Sequence, residues 1–231
     1  AVFDRRGEAM NKSTNDSRGG QDGITRMMTT LPAWDSAVEA VSIRVASAEI
    51  RDRVKNIQNL YIGARGPMVV DVVASRRRRY ETHVEGRIIP VYKENARDLS
   101  LQALADHGPT GVTLWAGESR TMVELAQFIL GFAENQDDEQ TIANFATQSV
   151  DAEIRAKAIG IRGIGPVLYE YLRLLSGVDT LKADSRVREA LGNLGIPEEN
   201  FSDEGILKIC ISLASDCGAT LLEIDQALWN R

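Results

Sequence analysis

The stretch AKAIGIRGIGPVLYEYLRLLSGVDTLKADSRVREAL, residues 156–191, holds the residue types and spacings with the most chemistry in them. Gly163 and Gly165 flank Ile164, and Pro166 follows. Glycine reaches backbone torsions closed to other residues and lets a second backbone come close. Proline suits the first turn of a helix, where an N–H would have no intrahelical partner. The pattern predicts helix, tight turn, helix, with Ile164 anchoring the turn in the core. The amides around 163–168 then gather at a helix N-terminus, where free N–H groups and the helix dipole favour an anion such as a phosphate. Downstream, Asp184 opens another helical stretch. Its carboxylate can cap that helix, and it can also orient or deprotonate a water molecule. Glycines that merely end one helix before a proline starts the next would read the same over four residues. The flanking helices and the downstream aspartate are what add weight to an anion site.

The elements that must hold these groups read as helices. Trp34, Ala37, Val38, Val41 and Val45 recur at three- and four-residue steps, and a second short helix fits 48–60. Gly66-Pro67 opens MVVDVVAS, where valines favour strand and the proline favours a helix start, so local propensity leaves both open. Further helices are expected near 81–95, 98–106, 118–134, 138–147, 149–158, 166–176, 184–194, 202–216 and 220–230, with a loop at 109–117. No strand–helix alternation appears, so the class is all-α. Residues 1–30 are polar and aperiodic and read as a flexible tail.

The chain has 231 residues, 43% hydrophobic and 26% charged, which excludes wholesale disorder. Its apolar runs are far shorter than the roughly 20 residues of a membrane helix, and the N-terminal segment has no signal-peptide pattern. Cys210 and Cys217 fall in an apolar helical pattern and read as core residues of a reducing compartment. His83 and His107 have no ligand-spaced partners, so no structural zinc site is expected. The net charge of −6 argues against a nucleic-acid binder, but residues 44–97 carry twelve Lys/Arg against six Asp/Glu. One basic segment can present a basic face on an acidic protein. Within it runs Ser75-Arg76-Arg77-Arg78-Arg79-Tyr80. Arg76, Arg77, Arg78 and Arg79 can bind phosphates, and Tyr80 can stack on a base or replace one as a wedge. A solvated charge cluster is the alternative.

The IRGIGPVLYEYL hairpin and the LKADSRV segment resemble the helix-hairpin-helix DNA glycosylase superfamily, which includes endonuclease III and the adenine-mismatch and alkylbase glycosylases. There the hairpin is followed, after a glycine and a short loop, by an aspartate leading into a helix. Gly177 and Ala183-Asp184-Ser185-Arg186-Val187 fit that order. Residues 120–134 resemble the helix before the hairpin and 221–229 the C-terminal helix, so the likeness is good over about 118–229 and weak over 31–117. Val178-Asp179-Thr180 copies the family's Val-Asp-Thr more literally, but it follows Gly177 too soon and Asp179 reads as a turn residue.

The resemblance implies a two-lobe all-α glycosylase fold: residues 31–60 plus 185–231 in a terminal lobe, 61–184 in a lobe containing the helix-hairpin-helix at about 149–176, and an active-site cleft between them. It implies base-excision repair of double-stranded DNA, with no membrane partner. A damaged, modified or mismatched base is flipped out and its N-glycosidic bond hydrolysed, with Asp184 as the catalytic carboxylate. Arg162, Gly163, Ile164, Gly165 and Val167 would meet the DNA backbone, joined by Arg76–Arg79 and Lys182, the last read as a solvated or phosphate-contacting side chain. Tyr80, Trp115 and Tyr169 are candidates for the base pocket or wedge, with Trp34 and Tyr61 as further aromatics. Bifunctional members carry a nucleophilic lysine where this chain has Val167, so the type implied is monofunctional. Two cysteines cannot hold the family's iron–sulfur cluster, so no cofactor is expected; the one ion the resemblance allows is a monovalent cation at the hairpin. The implied location is intracellular, with the nucleoid in a bacterium or the nucleus in a eukaryote. Two rival readings are a non-catalytic helix-hairpin-helix module, with Asp184 only a cap, and a helical protein-interaction domain with no DNA role.

Overall fold

A computed structural model of the protein describes residues 33–134 and 137–229. The expected tail at 1–30 lies outside the described residues. Among those described, the chain is all-α: twelve α-helices, one π-helical segment, one short 3-10 turn and no strand. Two helices come first, α1 (Trp34–Val45) and α2 (Ala48–Asn59), the second capped by the Ser47 hydroxyl. The ambiguous valine run is helix α3 (Arg65–Ala74), and every one of its residues is buried. A helix buried on all sides shows no 3.6-residue apolar stripe, which is why periodicity could not separate it from a buried strand. Its first turn absorbs Pro67, whose missing N–H is not needed there.

The chain then reverses through Ser75–Arg79, with Arg77 at φ 56. A π-helical segment (Tyr80–Ile88) follows and runs into α4 (Ile89–Asn95). Next come α5 (Leu101–His107) and α6 (Glu118–Leu130), separated by a glycine-bearing loop. Helices α7 (Asp138–Gln148), α8 (Ala152–Gly160) and α9 (Pro166–Leu175) lead to the connecting segment 176–184. The chain closes with α10 (Ser185–Asn193), the 3-10 turn Glu198–Asn200, α11 (Asp203–Cys217) and α12 (Leu221–Trp229).

The buried apolar side chains fall into two clusters. One gathers Tyr61 through Leu175 around α3, with Met68, Leu104, Met122, Leu125 and Phe145 fully enclosed. The other gathers Trp34, Ala37 and Val41 of α1 with residues from Leu181 to Leu228. The chain therefore passes from one cluster to the other between Leu175 and Leu181, ahead of position 184. One element spans both: α12 puts Leu222 in the first but Ile224, Ala227 and Leu228 in the second, while α2 turns Val54 and Ile57 toward the first. The seam between the clusters is where side chains from distant parts of the sequence meet. No single helix among the described residues is long and apolar enough to cross a membrane.

Candidate active site

The turn between α8 and α9 is closed by the Ile164 N–H, which donates to the Ile161 carbonyl at 3.0 Å. Ile164 is buried, as its place between two glycines led us to expect. The two glycines serve different ends. Gly163 has φ +99, and a Cβ there would stand 2.9 Å from Arg76 Nη1 and 3.2 Å from Thr121 Oγ1. The torsion requires glycine at that position, and a side chain would also displace the end of Arg76 and press on Thr121. Gly165 has φ −105 and ψ 177, and a Cβ there would meet nothing within 4 Å. Neither torsion nor packing calls for glycine at 165; what a side chain would obstruct is approach from outside. The Thr121 hydroxyl of α6 fixes the turn by donating to the Arg162 carbonyl at 2.8 Å. The first-turn amides of Val167 and Leu168 follow, in the part of a helix that lacks intrahelical acceptors.

Asp184 is the N-cap of α10. Its Oδ1 accepts from the amides of Arg186 at 2.9 Å and Val187 at 3.2 Å. The other oxygen, Oδ2, lies 3.8 Å from Lys182 Nζ, and the Asp184 side chain is 20% exposed. Capping therefore engages one oxygen of the carboxylate, and the other faces Lys182. Lys182 Nζ also donates to Ser75 Oγ at 3.2 Å and sits 4.2 Å from the Tyr171 ring centroid. The next residue, Arg76, points Nη1 at the Gly163 carbonyl, a long 3.5 Å contact. The Ser75-Arg76 pair at the end of α3 thus touches the Lys182–Asp184 pair with one residue and the hairpin with the next.

A cleft of about 480 Å³ runs along the seam, lined among others by Tyr80, Tyr171, Lys182, Arg186, Asp225 and Trp229. Behind its wall Asp71, fully buried, accepts hydroxyl hydrogens from Tyr61 at 2.6 Å, Tyr80 at 2.8 Å and Tyr171 at 3.2 Å. Burial pushes the Asp71 carboxyl above its ordinary range, opposed by these hydroxyls and by Lys182. Burial likewise raises the phenols of Tyr61, Tyr80 and Tyr171, and the Asp71 charge adds to it. Asp225 on α12 is 5% exposed; Oδ1 accepts the Lys182 backbone N–H at 3.0 Å and Oδ2 accepts from Gln226 Nε2 at 3.0 Å. Burial moves its carboxyl up to about 7; the Lys182 amide opposes the shift and the Asp184 charge adds to it. Across the cleft mouth Arg186 holds Glu81 of the π-helical segment in a two-pronged ion pair and lies 4.0 Å from the Trp229 ring centroid. The Arg186 hydrogen bonds bring the Glu81 carboxyl down to about 2.

The other expected site residues divide. Arg162, Arg77 and Arg79 are exposed, and Arg76 is half-buried beside the hairpin. Arg78 is a correction: it is locked in a buried ion pair with Glu118, a residue with no exposure at all, and it lies flat 4.0 Å from the Trp115 ring. A guanidinium committed to an enclosed carboxylate is not free for phosphate. Of the two readings of Lys182 the solvated one is corrected, since its side chain is only 12% exposed and faces the cleft, not bulk water. Tyr80 is tied to Asp71 and meets Trp229 edge-on at 5.8 Å, so it is a cleft wall and not a protruding wedge. Tyr169 belongs to the core, its hydroxyl donating to the Ser149 carbonyl. Trp34 is core as well, and Tyr61 is sealed behind Asp71. Trp115 is 47% exposed and lines a separate depression with His83 and Arg87. Val167 lines a third depression, with Pro166, Leu181 and Ala183. Asp179 accepts the Leu222 N–H at 3.1 Å and so pins α12, which is more than a turn role.

Sequence reading missed Asp71, Tyr171 and Asp225. A carboxylate inside an apolar run, as in MVVDVV and LLEIDQALW, was the available signal, because a charge there must find partners or give up its charge. Among the described residues no group of three or more His, Cys, Asp or Glu is placed to hold a metal ion. No family model matches the chain, and neither a curated protein nor a solved structure matches it.

Proposed function

We propose that the chain is a two-lobe helix-hairpin-helix DNA glycosylase that removes a damaged, modified or mismatched base from double-stranded DNA by hydrolysis. The observation that carries the reading is the Ser75-Arg76 junction, where Arg76 meets the Gly163 carbonyl of the hairpin and Ser75 meets Lys182, which lies 3.8 Å from Asp184. The hairpin amides and the bare Gly165 surface hold the phosphate backbone without reading sequence. Exposed Arg77, Arg79 and Arg162 add sequence-independent attraction. The target nucleotide leaves the stack and enters the seam cleft, whose about 480 Å³ and aromatic walls suit a nucleoside.

As the C1′–N bond breaks, positive charge develops on the deoxyribose. Asp184 Oδ2 stabilises that charge and accepts a proton from the attacking water, while Oδ1 stays on the cap and keeps the carboxylate from turning away. Lys182, held by Ser75 and the Tyr171 face, sets its ammonium 3.8 Å from Asp184 Oδ2. The products are the free base and an abasic site in an uncut strand.

The test is base release from lesion-bearing duplexes. Asp184→Asn is expected to lower release by about 10²–10⁴-fold, with little change in melting because asparagine caps a helix as well as aspartate. The strand should remain whole until alkali is added. The two-amide cap favours the non-catalytic module as a second reading. Duplex binding by the wild type with no base released from any lesion establishes that alternative.

A further inference from the structure

Two features frame the mouth of the seam cleft. One is the π-helical segment Tyr80–Ile88, nine residues of a conformation that is rare and recurs at functional sites. Gly86 permits its wide turn, since a Cβ there would stand 2.8 Å from the Glu81 carbonyl oxygen. The segment turns Glu81 and Glu85 to the cleft, and His83 and Arg87 to the depression beside Trp115. The other feature is Arg186 in the first turn of α10, two residues after Asp184. Its Nη1 and Nη2 donate to the two Glu81 carboxylate oxygens at 2.5 and 2.8 Å.

This ion pair joins the two clusters. Val84 and Ile88 seat the π-helical segment in the first, and Val187, Ala190 and Leu191 seat α10 in the second. It does little to hold them together. The Arg186 and Glu81 side chains are 37% and 51% exposed, and an ion pair so open to water adds little stability. Nor does Arg186 depend on Glu81 for its place, because the Trp229 ring, 4.0 Å away on the same side of the seam, supports the guanidinium. If Glu81 leaves, a fixed guanidinium with a free two-pronged face remains at the cleft mouth. Arginine binds a phosphate through the same fork that it offers a carboxylate.

We propose that Glu81 is an internal competitor for DNA: its carboxylate occupies Arg186 in the free protein, and a backbone phosphate of the strand entering the cleft displaces it. The inference rests on the glycosylase reading for the identity of the strand, and adds to that reading a contact that holds the free protein back. Binding at the mouth is then an exchange of one anion for another at a single cation. A phosphate aligned with the fork recovers the pair that Glu81 gives up, and a chance contact elsewhere on the duplex does not.

The experiment measures Kd for a short duplex carrying a tetrahydrofuran abasic-site analogue, which offers the cleft an extrudable nucleotide and needs no base release. Wild type is compared with Glu81→Gln, Arg186→Gln, the double variant and Glu85→Gln, and a melt checks each fold. Glu85 is exposed on the same segment and lines the same cleft but lies outside the Arg186 pair, so it measures the effect of removing a negative charge alone. We expect Glu81→Gln to tighten binding about threefold to fivefold and Arg186→Gln to weaken it at least about tenfold. In the Arg186→Gln background, Glu81→Gln should change Kd by no more than Glu85→Gln does in wild type. A gain for Glu81→Gln no larger than that for Glu85→Gln, an equal gain with and without Arg186, or unchanged binding by Arg186→Gln overturns the proposal, as does a duplex bound by neither wild type nor Glu81→Gln. Base release reports separately: a wild type that frees no base from any lesion refutes the glycosylase reading, while the order of the Kd values still judges the ion pair.

Discussion

Leu181 and Ala183 turn toward the hairpin and Lys182, between them, toward the seam cleft. The two sides of this short segment are constructed differently. The hairpin is local: Ile161 through Pro166 form it, and one outside hydroxyl, that of Thr121, fixes it. The cleft draws on α2, the π-helical segment, α9, the connecting segment, α10 and α12. A local turn depends on backbone torsion, so glycine substitutions act on it. A cleft between two cores depends on buried charges being matched, so changes to carboxyl and guanidinium groups act on it.

Arg78→Ala should give the largest effect, because it leaves Glu118 enclosed and unpaired. A loss of about 3–5 kcal/mol in urea unfolding is expected. Arg79→Ala, at an exposed position one residue on, should stay within about 0.5 kcal/mol. It should instead reduce the salt dependence of duplex binding by about one phosphate contact. Equal stability losses would mean that the arginine run does not divide into a buried and a DNA-facing part.

The glycines sharpen the comparison on the hairpin side. Gly163→Ala forces a Cβ into φ +99 and against Arg76 and Thr121, and about 1–3 kcal/mol of destabilisation should appear. Gly165→Ala meets open space and should melt within about 0.5 kcal/mol of wild type. Its cost should fall on duplex binding, about tenfold in Kd if one charge-assisted contact of about 1.5 kcal/mol is obstructed. Unchanged affinity for Gly165→Ala would remove the hairpin from the binding surface.

An effect that depends on pH separates Asp225. Its folded value of about 7 lies above the ordinary 3.8. Between those limits the folded protein holds a proton that the unfolded chain has released, so this group makes stability fall as pH rises from about 4 to about 7, with no further change above. Asp225→Asn lacks that contribution. Its urea midpoint should therefore improve relative to wild type from pH 4 to pH 7; a constant difference would show that Asp225 ionises as it does in the unfolded chain.

The helix-hairpin-helix was readable because its determinants are neighbours in sequence. Gly163 supplies the positive φ, Pro166 starts α9 and Ser202 caps α11, as their positions predicted. The valine run 67–74 was not readable, since burial on every side erases the periodicity that tells helix from strand. The basic run was read correctly as charge but not as geometry. Only the fold sends Arg78 inward to Glu118, forty positions away, and leaves Arg77 and Arg79 outside. Asp184 was legible from its place before a helix, whereas Lys182 looked like a surface residue until Ser75 and Tyr171 closed around it.

By itself the amino-acid order determined the all-helical class, the starts of the helices at Pro166 and Ser202, the glycine turn and the capping role of Asp184. These follow from torsional preferences and side-chain reach within a few residues. Tertiary structure alone decided which carboxyls lose their water and which basic groups answer them: Asp71 among three tyrosines, Glu118 with Arg78, and Asp225 at the cleft with neither. Desolvation is a property of everything packed around a group, and the residues that enclose these carboxyls come from α2 through α12.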